Sequence, residues 1–221
     1  MEASATAREN KKFKIEVPPV PVIDAVEGEL TAVGKRFAIV VSRFNSFITE
    51  RLFQSAYDGL LRAGAKRKDV VLVRVPGAFE IPLAARALAE TRRYDGIICI
   101  GCLLRGDTAH YDVIVNEVTR GIGQSAQETG VPHAFGVLTC DTLEQAIDRA
   151  GLKMGNKGFE AALAAVEMAN LKSAVSHHQA ARGAAVSRQP SAISKGKSNK
   201  NTETKSGRKS KSVSAARKRR S

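Results

Sequence analysis

The chain has 221 residues, 43% apolar and 26% charged, a composition of globular proteins with one sizeable core. Its formal charge of +13 is confined to one end: residues 1–170 carry 21 Lys and Arg against 21 Asp and Glu, whereas residues 171–221 carry 14 against Glu203 alone. Residues 1–170 are therefore electrostatically balanced, and a nucleic-acid partner is expected, if at all, through the C-terminal segment only.

No apolar stretch approaches the roughly 18 to 20 residues that span a bilayer, and residues 1–14 lack the apolar core of a signal peptide. A cytoplasmic location with no membrane partner is expected. Cys99, Cys102 and Cys140 are too few and odd in number for a disulfide framework, which fits a reducing compartment.

Residues 1–34 read as an N-terminal arm, in which Pro18, Pro19 and Pro21 predict an extended segment or edge strand. From Phe37 the pattern becomes regular. The run FAIVV at 37–41 predicts a buried strand, and residues 49–63 a helix that stops at Gly64. VVLVRV at 70–75 predicts a second strand, leading through Pro76 and Gly77 into a helix that Pro82 can start and that reads to about Thr91. A third strand is predicted at 96–100 (GIICI), followed by a long loop and a helix over about 112–129 closed by Gly130. AFGVL at 134–138 predicts a fourth strand, followed by helices over about 143–150 and 156–171.

Apolar strands alternating with helices predict a four-stranded parallel sheet buried on both faces, in an α/β three-layer sandwich with right-handed crossovers. One domain over 35–171 is expected. Residues 172–221 turn to Ser, Ala, Lys, Arg, Gly and Gln with no aromatic residue, which predicts a basic disordered tail. In such sheets ligands bind beyond the carboxyl ends of the strands, so the loops after Val41, Val75, Ile100 and Leu138 are where chemistry is expected.

After the first strand, SRFNSF at 42–47 places Phe44 and Phe47 at a helix entrance, either to stack on a planar heterocycle or to staple the helix to the sheet. From this loop alone the packing role is the simpler. In PGAFE at 76–80, Gly77 permits close backbone approach, and Glu80 is either a favourable charge at a helix N-terminus or a hydrogen-bonding group for a polyol or ring edge. In GCLLRGDTAH at 101–110, Gly101 and Gly106 bend the run, while Arg105 and Thr108 offer donors to an anion. His110 stands before the next helix, as a general acid or base or as a structural residue.

RAGLKMGNK at 149–157 gathers Arg149, Lys153 and Lys157 around two glycines and a helix start, which reads as a phosphate site or as solvated helix-end charges. His133 reads as structural, and His177 and His178 fall in the tail. Cys99 and Cys102 have CxxC spacing but straddle a strand end without a second pair, so neither a redox motif nor a zinc site is expected. Gly121 and Gly123 lie within a helical pattern and are no dinucleotide fingerprint.

Taken in order, RFNSF, VPGAFEIP, GCLLRGDTAHYD and AGLKMGNKG resemble the lumazine synthase family of riboflavin biosynthesis over residues 35–171. The joint spacing of the four carries the resemblance. It implies a flavodoxin-like lumazine synthase fold and a transferase that joins 5-amino-6-(D-ribitylamino)uracil to 3,4-dihydroxy-2-butanone 4-phosphate, with no metal and no organic cofactor. It also implies that Phe44 stacks on the pyrimidine, that Ala78, Phe79, Glu80, Cys102, Leu103 and Leu104 bind its edge and ribityl chain, and that Asp107, Thr108 and Arg149 surround the phosphate. Phe135 and Lys157 would complete the pocket, and His110 would shuttle protons.

The resemblance further implies a homopentamer with sites between neighbouring subunits, in which Phe135, Arg149 and Lys157 face the adjacent chain. The short link at 151–155 resembles that of members that build icosahedral shells, and riboflavin synthase is a partner the resemblance allows. The arm and the tail lie outside it. The tail's spaced Lys and Arg suit RNA, DNA or an acidic partner, or a purely solubilising role. A non-catalytic scaffold or flavin carrier using that tail is the rival reading, and the presence of His110 and Arg149 counts against it.

Overall fold

The computed structural model describes residues 25–187, with side chains described as far as His178. The proline-containing segment at 18–21 and the basic residues 188–221 lie outside the described residues. Four strands, β1 (Phe37–Ser42), β2 (Val70–Val75), β3 (Gly96–Leu104) and β4 (His133–Cys140), alternate with helices α1 (Ser46–Arg62), α2 (Ile81–Glu90) and α3 (His110–Thr129). Helices α4 (Leu143–Arg149) and α5 (Lys157–Ser187) follow β4. All strand pairs are parallel, in the order β2-β1-β3-β4.

The two-residue period of the strands divides the core. Phe37, Ile39 and Val41 of β1 pack with α1, α4 and α5, whereas Ala38 and Val40 pack with α2 and α3. This is the expected three-layer α/β sandwich. The α1–α5 layer is closed tightly. At Gly158 in α5 an added Cβ would stand 2.0 Å from the carbonyl oxygen of Leu52 in α1, so the two helices touch backbone to backbone. The Asn156 side chain starts α5, its Oδ1 accepting from the backbone N–H groups of Gly158 (2.8 Å) and Phe159 (3.3 Å).

The structure departs from the sequence reading in three places. Burial on both faces holds for β1 and most of β3 but not for β2, which has one strand neighbour and leaves Val71 and Leu72 exposed. β3 runs on through Gly101 to Leu104, pairing in register with Val137 to Cys140. Gly101 does not bend the chain; a Cβ there would meet Ile81 Cδ1 at 3.1 Å and Val137 Cγ1 at 3.2 Å, so the glycine admits close packing instead.

Finally, α5 does not end near Leu171 but continues to Ser187. The low apolar content that suggested disorder there accompanies Ala174, Ala180, Ala181, Ala184 and Ala185 and no proline, so helix propensity persists where core-forming residues run out. From Lys172 to His178 the helix is mostly exposed. No helix among the described residues is long and apolar enough to cross a membrane.

Candidate active site

The ends of β1, β2 and β3 and the start of α3 enclose a cavity of about 350 Å³. It brings together Phe44, Ala78, Phe79, Cys102, Leu103, Leu104, Thr108 and His110 of the sequence-predicted residues. Three local arrangements build its walls. Asn45, just ahead of α1, takes a left-handed conformation (φ 55°), which asparagine tolerates better than most residues, and its Nδ2 donates to the Cys102 carbonyl oxygen at 2.8 Å. The loop after β1 is thereby fastened to β3. The Phe44 N–H donates to the Pro76 carbonyl oxygen at 3.2 Å, joining that loop to the turn after β2.

In that turn Glu80 Oε2 accepts from the Gly77 N–H at 2.8 Å, which fixes the segment presenting Ala78 and Phe79. Glu80 is not itself among the residues lining the cavity. Phe44 is 72% exposed and Phe47 62%, so neither staples α1 to the sheet. The Phe44 ring borders the cavity; Phe47 lies outside it beneath the Arg51 guanidinium, 4.9 Å from the ring centroid.

β3 delivers Cys102, Leu103 and Leu104, and the turn after it delivers Thr108 and His110, the latter exposed as the first residue of α3. Asp107 is exposed in the same turn but is not among the lining residues. Arg105 is not free for an anion: its Nε donates to Asp141 Oδ1 at 2.8 Å and its Nη1 to Asp112 Oδ2 at 3.1 Å. Tyr111 and Ile114, unnoticed in sequence, complete the wall beside His110 on the first turns of α3. Burial pushes the Cys102 thiol up to about 12, so at neutral pH it is an apolar wall and not a nucleophile.

Phe135, Arg149 and Lys157 stand elsewhere. They line a second cavity of about 510 Å³, bounded by residues 135–140 of β4, Gln145 and the start of α5. The Lys157 ammonium pairs with Glu160, Lys153 is not among the lining residues, and the Asn156 cap occupies the N–H groups of Gly158 and Phe159. The exposed Arg149 guanidinium is the cation this cavity offers without an ion-pair partner among the described residues. The two cavities share no lining residue.

Cys99 and His133 are structural. Cys99 and Cys102, three apart on a strand, face opposite cores, and burial pushes the Cys99 thiol up to about 12 as well. His133 Nδ1 lies 2.7 Å from the Val131 carbonyl oxygen and so carries the proton, leaving Nε2 to accept from the Ser125 hydroxyl at 2.9 Å. Burial holds this imidazole below its ordinary pKa.

A family model described as 6,7-dimethyl-8-ribityllumazine synthase matches residues 34–173. A relative named 6,7-dimethyl-8-ribityllumazine synthase, from Desulfotalea psychrophila (strain LSv54 / DSM 12343), is 57% identical over 150 residues, covering 68% of this chain and 97% of the relative. The matched span contains β1 to β4, α1 to α4, most of the described part of α5 and both cavities. The chain belongs to the 6,7-dimethyl-8-ribityllumazine synthase family.

Proposed function

We propose that the two cavities are halves of one active site, completed between neighbouring copies of the chain. The reaction is the family's condensation of 5-amino-6-(D-ribitylamino)uracil with 3,4-dihydroxy-2-butanone 4-phosphate to 6,7-dimethyl-8-ribityllumazine, with release of phosphate and water, the penultimate step of riboflavin synthesis. The observation that carries the proposal is the separation itself: aromatic and apolar groups with a histidine in one cavity, an unengaged arginine in the other. A closed ring of subunits brings two different surfaces of one chain together at every interface.

In the first half Phe44 stacks on the pyrimidine, while Ala78, Phe79 and the Cys102, Leu103, Leu104 strand end bind its edge and ribityl chain. Glu80 acts by holding the turn. Thr108 and Asp107 stand on the phosphate side, where Arg149 of the neighbouring chain supplies the charge, and Phe135 and Lys157 of that chain close the pocket. The 5-amino group of the uracil condenses with the ketone and one water is lost; phosphate leaves from the neighbouring carbon chain, the resulting enol tautomerises to a new ketone, and the ribitylamino nitrogen adds to that ketone and expels a second water as the ring closes. Each step moves a proton, and His110 beside Thr108 is the group that can take and return it. Holding a planar and an anionic substrate in one orientation supplies much of the remaining acceleration.

The direct test mixes the purified chain with both substrates and follows lumazine absorbance and fluorescence, beside His110→Ala. Product from the parent chain and little from the variant is expected; equal product from both removes His110 from the chemistry.

The assembly is a pentamer, and the short 151–155 link favours pentamers gathered into a shell. Light scattering with a pentamer or decamer as the only species rejects the shell. The enzyme works in the cytoplasm, where riboflavin synthase, the consumer of its product, is a candidate partner. The basic segment after α5 binds nucleic acid through phosphates alone, since it holds no aromatic residue to stack on bases. Affinity for RNA that vanishes on deleting residues 188–221 and falls steeply with salt is expected; salt-insensitive or undetectable binding leaves the segment as a solubilising appendage.

A further inference from the structure

The Arg105 side chain reaches from the first cavity's turn to the second cavity's support. Its Nε donates to Asp141, the residue after β4, at 2.8 Å, and its Nη1 to Asp112 in the first turn of α3 at 3.1 Å. Its guanidinium also lies over the Tyr111 ring, 4.2 Å from the centroid, and Tyr111 is a wall of the first cavity. Its own N–H donates to the Cys140 carbonyl oxygen at 2.9 Å. Asp141 in turn adjoins Thr142, whose hydroxyl caps α4, the helix that ends in Arg149. Both carboxylates raise the pKa of the guanidinium further, so the cation is held by two partners, one in α3 and one after β4.

We propose that Arg105 is a positioning residue for the reaction: it fixes the 105–109 turn between α3 and the end of β4, so that Thr108 and His110 stand in a set relation to Tyr111. It does not bind the phosphate. A planar two-carboxylate fork with a ring beneath it restrains the turn in three directions, which a single point charge does not. Because the pairs are exposed, the effect lies in geometry and not in net stability.

This rests on the site reading above, and the experiment keeps the two apart. Arg105→Gln, Arg105→Lys, Asp141→Asn and the double variant Arg105→Gln/Asp141→Asn are compared with His110→Ala by steady-state kinetics, thermal unfolding and gel filtration. Arg105→Gln is expected to lower kcat by about tenfold or more while KM for the butanone phosphate changes by less than about threefold, as displaced groups cost rate more than binding. Arg105→Lys recovers part of the loss, and the double variant is no worse than Arg105→Gln. If Arg105→Gln fails to assemble, Asp141→Asn carries the test with the same kcat-weighted loss. A kcat within about twofold of the parent in both Arg105→Gln and Asp141→Asn, or a loss confined to KM for the phosphate substrate, overturns the proposal. Full activity in His110→Ala overturns the site reading instead.

Discussion

The two cavities differ in how their walls are held. Around the first, backbone and side-chain hydrogen bonds tie each loop to its neighbour: Asn45 to Cys102, Phe44 to Pro76, Glu80 to Gly77. Around the second, the groups with chemistry are long side chains at helix ends, Arg149 at the close of α4 and Lys157 at the opening of α5, the latter already paired with Glu160. The difference suits the ligands proposed for the two halves. A rigid planar ring rewards fixed walls, whereas a phosphate rewards a cation that can follow the charge as it leaves.

Substitutions in the two halves test that contrast. The largest effect is expected for His110→Ala, which should lower turnover under saturating substrates by about 10²-fold to 10⁴-fold without altering assembly. Next, Arg149→Ala should reduce kcat/KM for the butanone phosphate by about tenfold to 10²-fold, since a hydrogen bond to a charged group contributes roughly 1.5–3 kcal/mol. Its KM for the ribitylaminouracil should barely move; an equal rise for both substrates erases the distinction between the halves.

Phe44→Ala should weaken binding of the uracil in calorimetry by about 1–3 kcal/mol, the usual value of a base stacked on an aromatic ring. Its Tm should stay unchanged because Phe44 is 72% exposed. A Tm drop of several degrees returns Phe44 to a packing role.

The smallest change concerns pH and separates stability from catalysis. His133 is held neutral by burial, its folded pKa depressed, so its contribution to stability is complete above the unfolded value of about 6.5 and is lost as pH falls through the folded one. Below about pH 6.5 the unfolded chain therefore takes up a proton that the fold resists. Tm should decline on acidification, and less steeply in His133→Gln. Equal slopes in the two proteins contradict this role.

Most of the fold was legible because the strands are apolar and short: β2 matches its predicted bounds, and β1 exceeds them by Ser42. The extension of β3 was hidden by Gly101, which reads as a bend in sequence but serves here to let Ile81 and Val137 approach. The end of α5 was misread because apolar content predicts packing and not helicity. In the site, the Phe44 loop was ambiguous, since an aromatic at a helix entrance looks the same whether it packs or waits for a ligand. Tyr111 and Ile114 escaped notice because their role follows from where α3 begins, two residues earlier than the 112 start read from sequence. The division into two cavities was invisible in local spacing, because it depends on strand order across the sheet, and only the family resemblance implied it.

A site completed between chains can be probed by mixing two variants disabled in different halves. His110→Ala and Arg149→Ala are co-expressed with separate tags, and assemblies carrying both are purified and assayed for lumazine formation. A shared site leaves some interfaces with both intact halves, so at limiting butanone phosphate the mixed assemblies should exceed the mean activity of the two variants severalfold. Mixed assemblies no more active than the two variants assayed separately would contradict the account and put both halves within one chain.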